Sequence, residues 1–497
     1  MRSKTILVTG GTGYVGGRLI PLLLEKGYRV RAVARSIDKL KSRPWAGLPG
    51  VEFVAADLLD LGALRKAVAG CHVAYYLVHS MLSRPKNFED ADRQAAANMA
   101  RAAGETGIER IIYLGGLGDV KSDLSHHLRS RAEVEAILRA GKVPVTALRA
   151  AMIIGSGSTS FEIVRYLVDR LPVMVIPKWL ETPSQPIAIR NVLNYLTGCL
   201  ECPATVGETF DIGGPDVLNY KQLMEIYAEE AGLPKRRLLA VPFLSTRLSS
   251  YWIHFITPVP ASMAHALAEG LRNPVICQDF RIREILPQGL LDCRAAIRLA
   301  LQRVEEDSVK THWTDAGGIP PVEMIYPGDP KWAGGAVFED SRCVRVRASC
   351  EAVWQTIKVI GGTTGWYHAD RLWRFRGFLD KLVGGVGLRR GRRSVQEILV
   401  GDALDFWRVG QVTEGSHLFL IAEMKLPGRA TLEFKIEKDP QDPQACRLHQ
   451  IARYIPKGLF GLLYWYLLLP LHAYVFHGML KKIARAAETQ KTSPKSD

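Results

Sequence analysis

Apolar positions in the first 150 residues alternate between two spacings. Short runs that are apolar on both faces, at residues 5–9, 28–34, 51–55, 73–78, 110–114 and 145–148, predict strands. Stretches 17–25, 61–69, 89–104 and 129–140 carry the three-to-four spacing of helices and fall between them. Strands without a polar face need helices above and below, so the expected fold class is α/β, a doubly covered parallel sheet with right-handed crossovers. From about 151 to 325 the pattern loosens into proline-containing turns and helical pieces at 161–170, 191–199 and 220–230, which predict an extension over the ends of the sheet. The Gly/Pro cluster AGGIPPVEMIYPGDPKWAGG at 316–335 marks a boundary. Beyond it, strand-like runs at 336–348, 394–400, 406–412, 418–424, 430–438 and 445–454 precede one long apolar helix from about 459 to 489, the pattern of a separate α+β domain. The expected division is therefore 1–150, 151–325 and 330–490, and a chain ending at residue 320 is expected to keep the first two intact.

Composition narrows the function classes. With 65 Lys+Arg against 50 Asp+Glu, the net charge is +15, and residues 326–497 hold 26 basic and 17 acidic residues of that total. No dense basic arm accompanies this surplus, which argues against nucleic acid and leaves nucleotide phosphates or anionic lipid as anionic partners. Eight scattered cysteines do not form a disulfide scaffold, and Cys199 and Cys202 lack a second ligand pair, so they read as a helix-end pair and no metal is expected. The N-terminal MRSKTILVTGG runs straight into a strand and a glycine turn, which is not a secretion-signal pattern.

The sharpest motif is ILVTGGTGYVGGRL, which sets Gly10, Gly13 and Gly16 directly after the first strand and at the start of the first helix. Such spacing permits a tight turn, close approach of a pyrophosphate and packing of helix on strand, with the helix N-terminus facing the phosphates. Thr9, Tyr14 and Val15 belong to the same turn, and Leu77 and Gly115 end neighbouring strands. The second strand ends YRVRAVARS without a carboxylate for a ribose hydroxyl. Arg35 stands there instead and suits a 2′-phosphate, so NADP is the expected cofactor, with NAD as the alternative. Asp57, after the third strand, is expected either to accept from the adenine amino group or to cap a helix.

These segments, with VAADL, LVHSM, ALRAAMIIGSGSTSFE, QPIAIRNV and FDIGGPDVLNY, resemble the atypical, NmrA-like branch of the extended short-chain dehydrogenase/reductases over about residues 1–300. WYHADRLWRFRGFLDKLVGG and GLFGLLYWYLLLPLHAYVFHGM are similar to a bacterial domain of unknown function, of the DUF2867 type, with a START-like helix-grip fold. The resemblance implies a Rossmann-type sheet with an extension, followed by a helix-grip domain. It also implies a catalytic serine after the fifth strand and a Tyr-x-x-x-Lys pair on the next helix. Here Gly115 and Gly116 fall at the serine, His127 at the tyrosine and Arg131 at the lysine. Arginine is a poor proton donor, histidine titrates near neutrality, and His79 ends the fourth strand beside the cofactor position. His127, Arg131 and His79 are thus the catalytic candidates, with His126 pointing elsewhere on the helix.

The expected function is an NADP(H)-dependent reductase for an apolar carbonyl or quinone-like substrate. The alternative is a non-catalytic redox sensor or scaffold whose C-terminal domain takes a hydrophobic ligand. Six of ten tryptophans lie after residue 330, which suits either an aromatic-lined cavity or a filled helix–sheet interface. Residues 459–480 carry no Asp, Glu, Lys or Arg. The favoured reading is a buried closing helix; surface contact with a membrane and a true span are the alternatives, and Pro470 and two histidines weigh against a span. Segment 371–393, with eight basic residues and one acid among aromatics, reads as a solvated loop or a lipid contact. The expected location is cytoplasmic, with attachment to the cytoplasmic face of the cell membrane as the further expectation.

Overall fold

The computed structural model describes residues 4–79, 88–118, 124–241, 253, 256–306, 321–323, 325–326, 328–330, 333–362, 364–387 and 397–490. The chain divides into two compact units, Met1–Gly335 and Ala336–Asp497.

The first unit is built on strands β1 (Thr5–Thr9), β2 (Arg29–Ala34), β3 (Val51–Ala55), β4 (Val73–Tyr76), β5 (Arg110–Gly116), β6 (Val145–Ala150) and β7 (Thr209–Ile212). They form one sheet in the order β7-β6-β5-β4-β1-β2-β3, and every pair is parallel. The two-residue alternation of strand side chains splits the core: Ile6 and Val8 face one side with Ile112 and Leu148, and Leu7 faces the other with Ala74, Ile111 and Val145. Helices α1 (Tyr14–Glu25), α2 (Leu61–Val68), α3 (Phe88–Thr106) and α4 (His126–Arg139) alternate with the strands. The strand order reverses between β1 and β4, and at that crevice an open parallel sheet places its ligands. Helices α5 (Thr159–Arg170), α6 (Ile189–Glu201), α7 (Tyr220–Glu230), α8 (Ala261–Gly270) and α9 (Cys293–Glu306) follow.

One charge in α1 departs from an otherwise apolar buried face. Arg18 is fully buried, and a buried guanidinium needs partners for its donors. They come from far along the chain: Asp329 at 2.9 Å, the carbonyl of Val322 at 2.8 Å and that of Ser156 at 3.1 Å. The other oxygen of Asp329 takes Arg43 at 2.8 Å, and Arg43 also donates to the carbonyl of Thr12 in the glycine turn. Nearby, Glu162 accepts from the backbone of Gly157 at 2.9 Å and of Gly334 at 3.0 Å. The Gly/Pro segment is therefore part of the first unit, and a chain ending at residue 320 loses a structural element of it.

The second unit holds β8 (Phe338–Val346), β9 (Ala403–Leu404), β10 (Trp407–Thr413), β11 (His417–Ala422), β12 (Gly428–Asp439) and β13 (Asp442–Pro456), an antiparallel sheet in the order β8-β13-β12-β11-β10-β9. Helices α10 (Cys350–Lys358), α11 (Asp370–Leu382) and α12 (Gly458–Gln490) complete it. Two expectations fail here. Residues 397–400 are not a strand, because the Leu399 N–H turns onto the Asp402 carboxylate at 2.9 Å and Gly401 takes a φ of 90°; residues 394–396 lie outside the described ones. Residues 370–382 are a helix rather than a loop. It is held by the buried Asp380, which accepts from the backbone of Lys425 at 2.6 Å and of Gly387 at 2.8 Å. The rest of the basic segment, 388–393, lies outside the described residues, as does Trp332.

Asp329→Ala leaves two buried guanidinium groups without their carboxylate. It is expected to cost the first unit about 3–5 kcal/mol, read as an earlier denaturant transition of that unit in the intact chain. The second unit's transition should stay in place.

Candidate functional site at the strand ends

The turn after β1 is set by close packing. Gly10 has a φ of 73°, and a Cβ there would sit 2.7 Å from the carbonyl oxygen of Leu77. At Gly16 a Cβ would collide with the carbonyl oxygen of Gly10, so only glycine lets α1 rise this near the turn. Thr9 is buried and structural: its hydroxyl donates to the Tyr75 carbonyl at 2.9 Å and accepts the Leu77 N–H at 3.2 Å, tying β1 to β4. Gly13 is exposed and occupies the N-cap of α1 without a capping side chain, which leaves the first-turn N–H groups, including that of Val15, facing outward as donors. The Tyr14 side chain points the other way. Its ring lies 4.1 Å from the Arg18 guanidinium and its hydroxyl is buried without a partner among the described residues, so only its backbone belongs to the phosphate cradle. Burial raises its pKa.

Arg35 is exposed at the end of β2 and makes no ion pair among the described residues. Arg43, by contrast, is committed to Asp329 and Thr12. Asp57 accepts from the Leu59 N–H at 3.1 Å, and the cap of α2 is Asp60, which accepts from Gly62 and Ala63 at 2.8 and 3.0 Å. The capping alternative for Asp57 is thereby corrected: Asp60 stands next to the helix and Asp57 does not. Cys199 is buried inside α6, where burial pushes its thiol up to about 12, and Cys202 is the C-cap. Among the described residues no group of three or more His, Cys, Asp and Glu is placed to hold a metal.

Across the sheet from β1 lie the end of β4, one strand spacing away, and that of β5, two spacings or about 10 Å away. The three residues singled out at the catalytic positions meet there. His79 has a buried Nδ1 with no partner among the described residues, and burial, Arg131 and His127 hold its pKa well below the ordinary value. His127 is brought down to about 3, first by burial and then by the Arg131 charge. Arg131 itself makes no ion pair among the described residues, while its backbone carbonyl accepts from the Tyr113 hydroxyl at 3.1 Å. Gly116 faces Leu128 and Arg131, and a Cβ on Gly115 would press 2.8 Å from the Tyr113 ring. His126, one residue away, is exposed and pairs with Glu89 at 3.0 Å.

Behind this cluster opens a cavity of about 680 Å³. It begins at Gly116, His127 and Ala150 at the strand ends and runs between α5, α7 and α8, so the extension residues form its walls. Apart from His127, Ser160 and Tyr220 its side chains are apolar, and none is charged. Arg18, Arg43 and Asp329 carry no sequence motif; the one signal was an arginine at a helical position whose neighbours in the pattern are apolar.

Residues 2–234 match the NmrA-like family, and residues 332–479 match a protein of unknown function, DUF2867. Curated relatives align with part of the chain. The cinnamoyl-CoA reductase 1 of Petunia hybrida is 30% identical over 124 residues, 24% of this chain and 37% of that protein. A putative dihydroflavonol 4-reductase of Synechocystis is 35% identical over 119 residues, 23% of this chain and 33% of that protein. The chain thus spans about a third of the length of these relatives. Among solved structures, the Citrobacter triphenylmethane reductase complexed with NADP(H) shares the fold at a TM-score of 0.50 and 19% identity, covering 60% of this chain and 100% of its own.

Because burial and the Arg131 charge act in the same direction on His127, Arg131→Gln is expected to raise the imidazole pKa while leaving it below the ordinary value of about 6.5. A proton NMR titration of the His127 ring, assigned with His127→Gln, reads both shifts.

Proposed function

We propose that this chain, an NmrA-like domain joined to a DUF2867 domain, binds NADP(H) at the glycine turn and reduces an apolar, quinone-like or carbonyl acceptor in the cavity at the strand ends. The observation that carries this reading is the placement of an uncharged cavity of about 680 Å³ against Gly116 and His127, on the same sheet edge as the phosphate cradle. The turn suits a dinucleotide: Gly10 and Gly16 let it pack closely on Leu77 and on itself, which keeps the N-terminus of α1 near the strand end, and Arg35 stands where a 2′-phosphate needs a cation. A reduced nicotinamide supplies a hydride when bound.

The residues around that point favour one kind of acceptor. With its pKa near 3, His127 is a neutral imidazole at pH 7, able to donate a hydrogen bond from N–H and unable to act as a strong acid. Arg131 offers a charge without a counter-ion among the described residues, suited to stabilising negative charge on an acceptor oxygen. A quinone fits this arrangement: its two-electron-reduced form is a resonance-stabilised anion that Arg131 would stabilise and that would collect its proton from water. A simple ketone would form an alkoxide and needs the acid that Gly115, Gly116 and His127 do not provide. The preference for quinone-like over plain carbonyl substrates follows.

The test follows label from 4-deuterated NADPH to a panel of quinones and aromatic ketones. Transfer to quinones, reduced at least about tenfold by Arg131→Met, is expected. Binding without transfer to any acceptor would favour the sensor reading. Gly13→Asp sets a side chain and a negative charge at the phosphates and is expected to abolish binding. Arg35→Ala is expected to weaken NADP(H) by about tenfold, a lost charge-assisted pair, and to leave NAD(H) nearly unchanged; calorimetric titration compares the two. Since His127, at about 3, does not protonate between pH 5 and 8, the rate should show no limb from its titration in that range.

A further inference from the structure

Helix α12 treats its two halves differently. From Val475 onward its apolar residues close the second unit's core: Phe476, Met479, Leu480, Ile483 and Ala487 are buried with the strands. In the preceding half only Gly461 and Trp465 are buried, the latter stacked on Phe338 at 5.1 Å and on Tyr454 at 5.6 Å. Phe460, Leu463, Leu467 and Tyr474 recur at helical spacing on the outward face and are 81, 56, 79 and 58% exposed. The expectation of a buried closing helix thus holds for the second half only.

Helix α11 shows the same habit. Phe375, Phe378, Leu382 and Val383 are exposed beside Arg371, Arg374 and Lys381, which make no ion pair among the described residues. The two helices are neighbours: Trp373 meets Phe476 at 6.1 Å, and both helices border one cavity of about 140 Å³. Lys425 and Lys457 are also exposed without a carboxylate partner among the described residues; of the two acids of α11, Asp380 is buried, and Asp370, exposed at the first turn, accepts from the Trp366 N–H at 2.9 Å. The outward apolar face is therefore rimmed by cations.

We propose that this face of α11 and α12 docks on an anionic lipid bilayer, the helices lying in the interface with the cations at headgroup level. Charge decides the occupant: apolar side chains flanked by uncompensated lysine and arginine fit an acyl boundary beneath anionic headgroups. The helix does not span, because its outward half, Gly458 to Tyr474, is about 25 Å long, short of a hydrocarbon core of about 30 Å, and its second half is committed to the sheet. This inference stands apart from the dinucleotide reading, since its residues all belong to the second unit.

The test is co-sedimentation of the intact protein with vesicles of phosphatidylcholine alone or with one-third phosphatidylglycerol. Binding to the anionic vesicles, weakened by about 1 M salt through screening, is expected. Phe460→Ser with Leu467→Ser, at positions outside the core, should lower it at least about tenfold with an unchanged circular dichroism spectrum. Arg371→Glu with Arg374→Glu should do so by about the same factor. Absence of binding to anionic vesicles would overturn the proposal, as would a Ser double variant that binds like the parent. So would a dimer that dissociates in the Ser variant and withholds the face from vesicles, which would assign it to a second copy.

Discussion

A single carboxylate, Asp329, bridges two buried guanidinium groups, and the local geometry of the first unit depends on that bridge. Arg18 reaches it from inside α1 and Arg43 from beyond β2, and Arg43 also holds the carbonyl of Thr12. A buried arginine without its acid is far costlier than an apolar residue in the same place. The arrangement makes sense as a brace. It fixes the turn from its back and leaves the outward N–H groups of the first helical turn free of side-chain competitors.

The strand ends show how burial changes what a residue type can do. Histidine is the side chain poised to titrate near neutrality, and on composition His127 looks like a substitute acid. Against an apolar cavity and beside an arginine it becomes a fixed neutral dipole. The cavity walls supply no charge of their own, and the Arg131 guanidinium beside them acts on His127. The cation stands beside the histidine and outside the cavity wall, next to Gly116, whose Cβ position faces the Arg131 side chain.

Much of this was legible in the chain. The run Thr5–Thr9 and the helix Tyr220–Glu230 coincide with their sequence patterns, because local periodicity and burial agree there. The separation of His127 from His126 was legible from helical geometry, since adjacent residues point apart. The role of Asp329 was not: it depends on a contact 311 residues distant, and a Gly/Pro-rich stretch reads locally as a linker. Helix α11 was missed for another reason. Its aromatic and basic residues mix on the exposed side, which blurs the amphipathic contrast, and its anchor, Asp380, is a buried carboxylate that periodicity counts as polar. The split character of α12 was hidden because an apolar residue reads alike whether a sheet or open surface faces it.

The Asp329 brace also bears on how the protein is made. The ribosome releases the glycine turn and Arg18 early but supplies their acid only 311 residues later, roughly 15–60 s afterwards at usual elongation rates. Until then Arg18 lacks the carboxylate of its final packing, so this part of the packing can close only after residue 329 has been made.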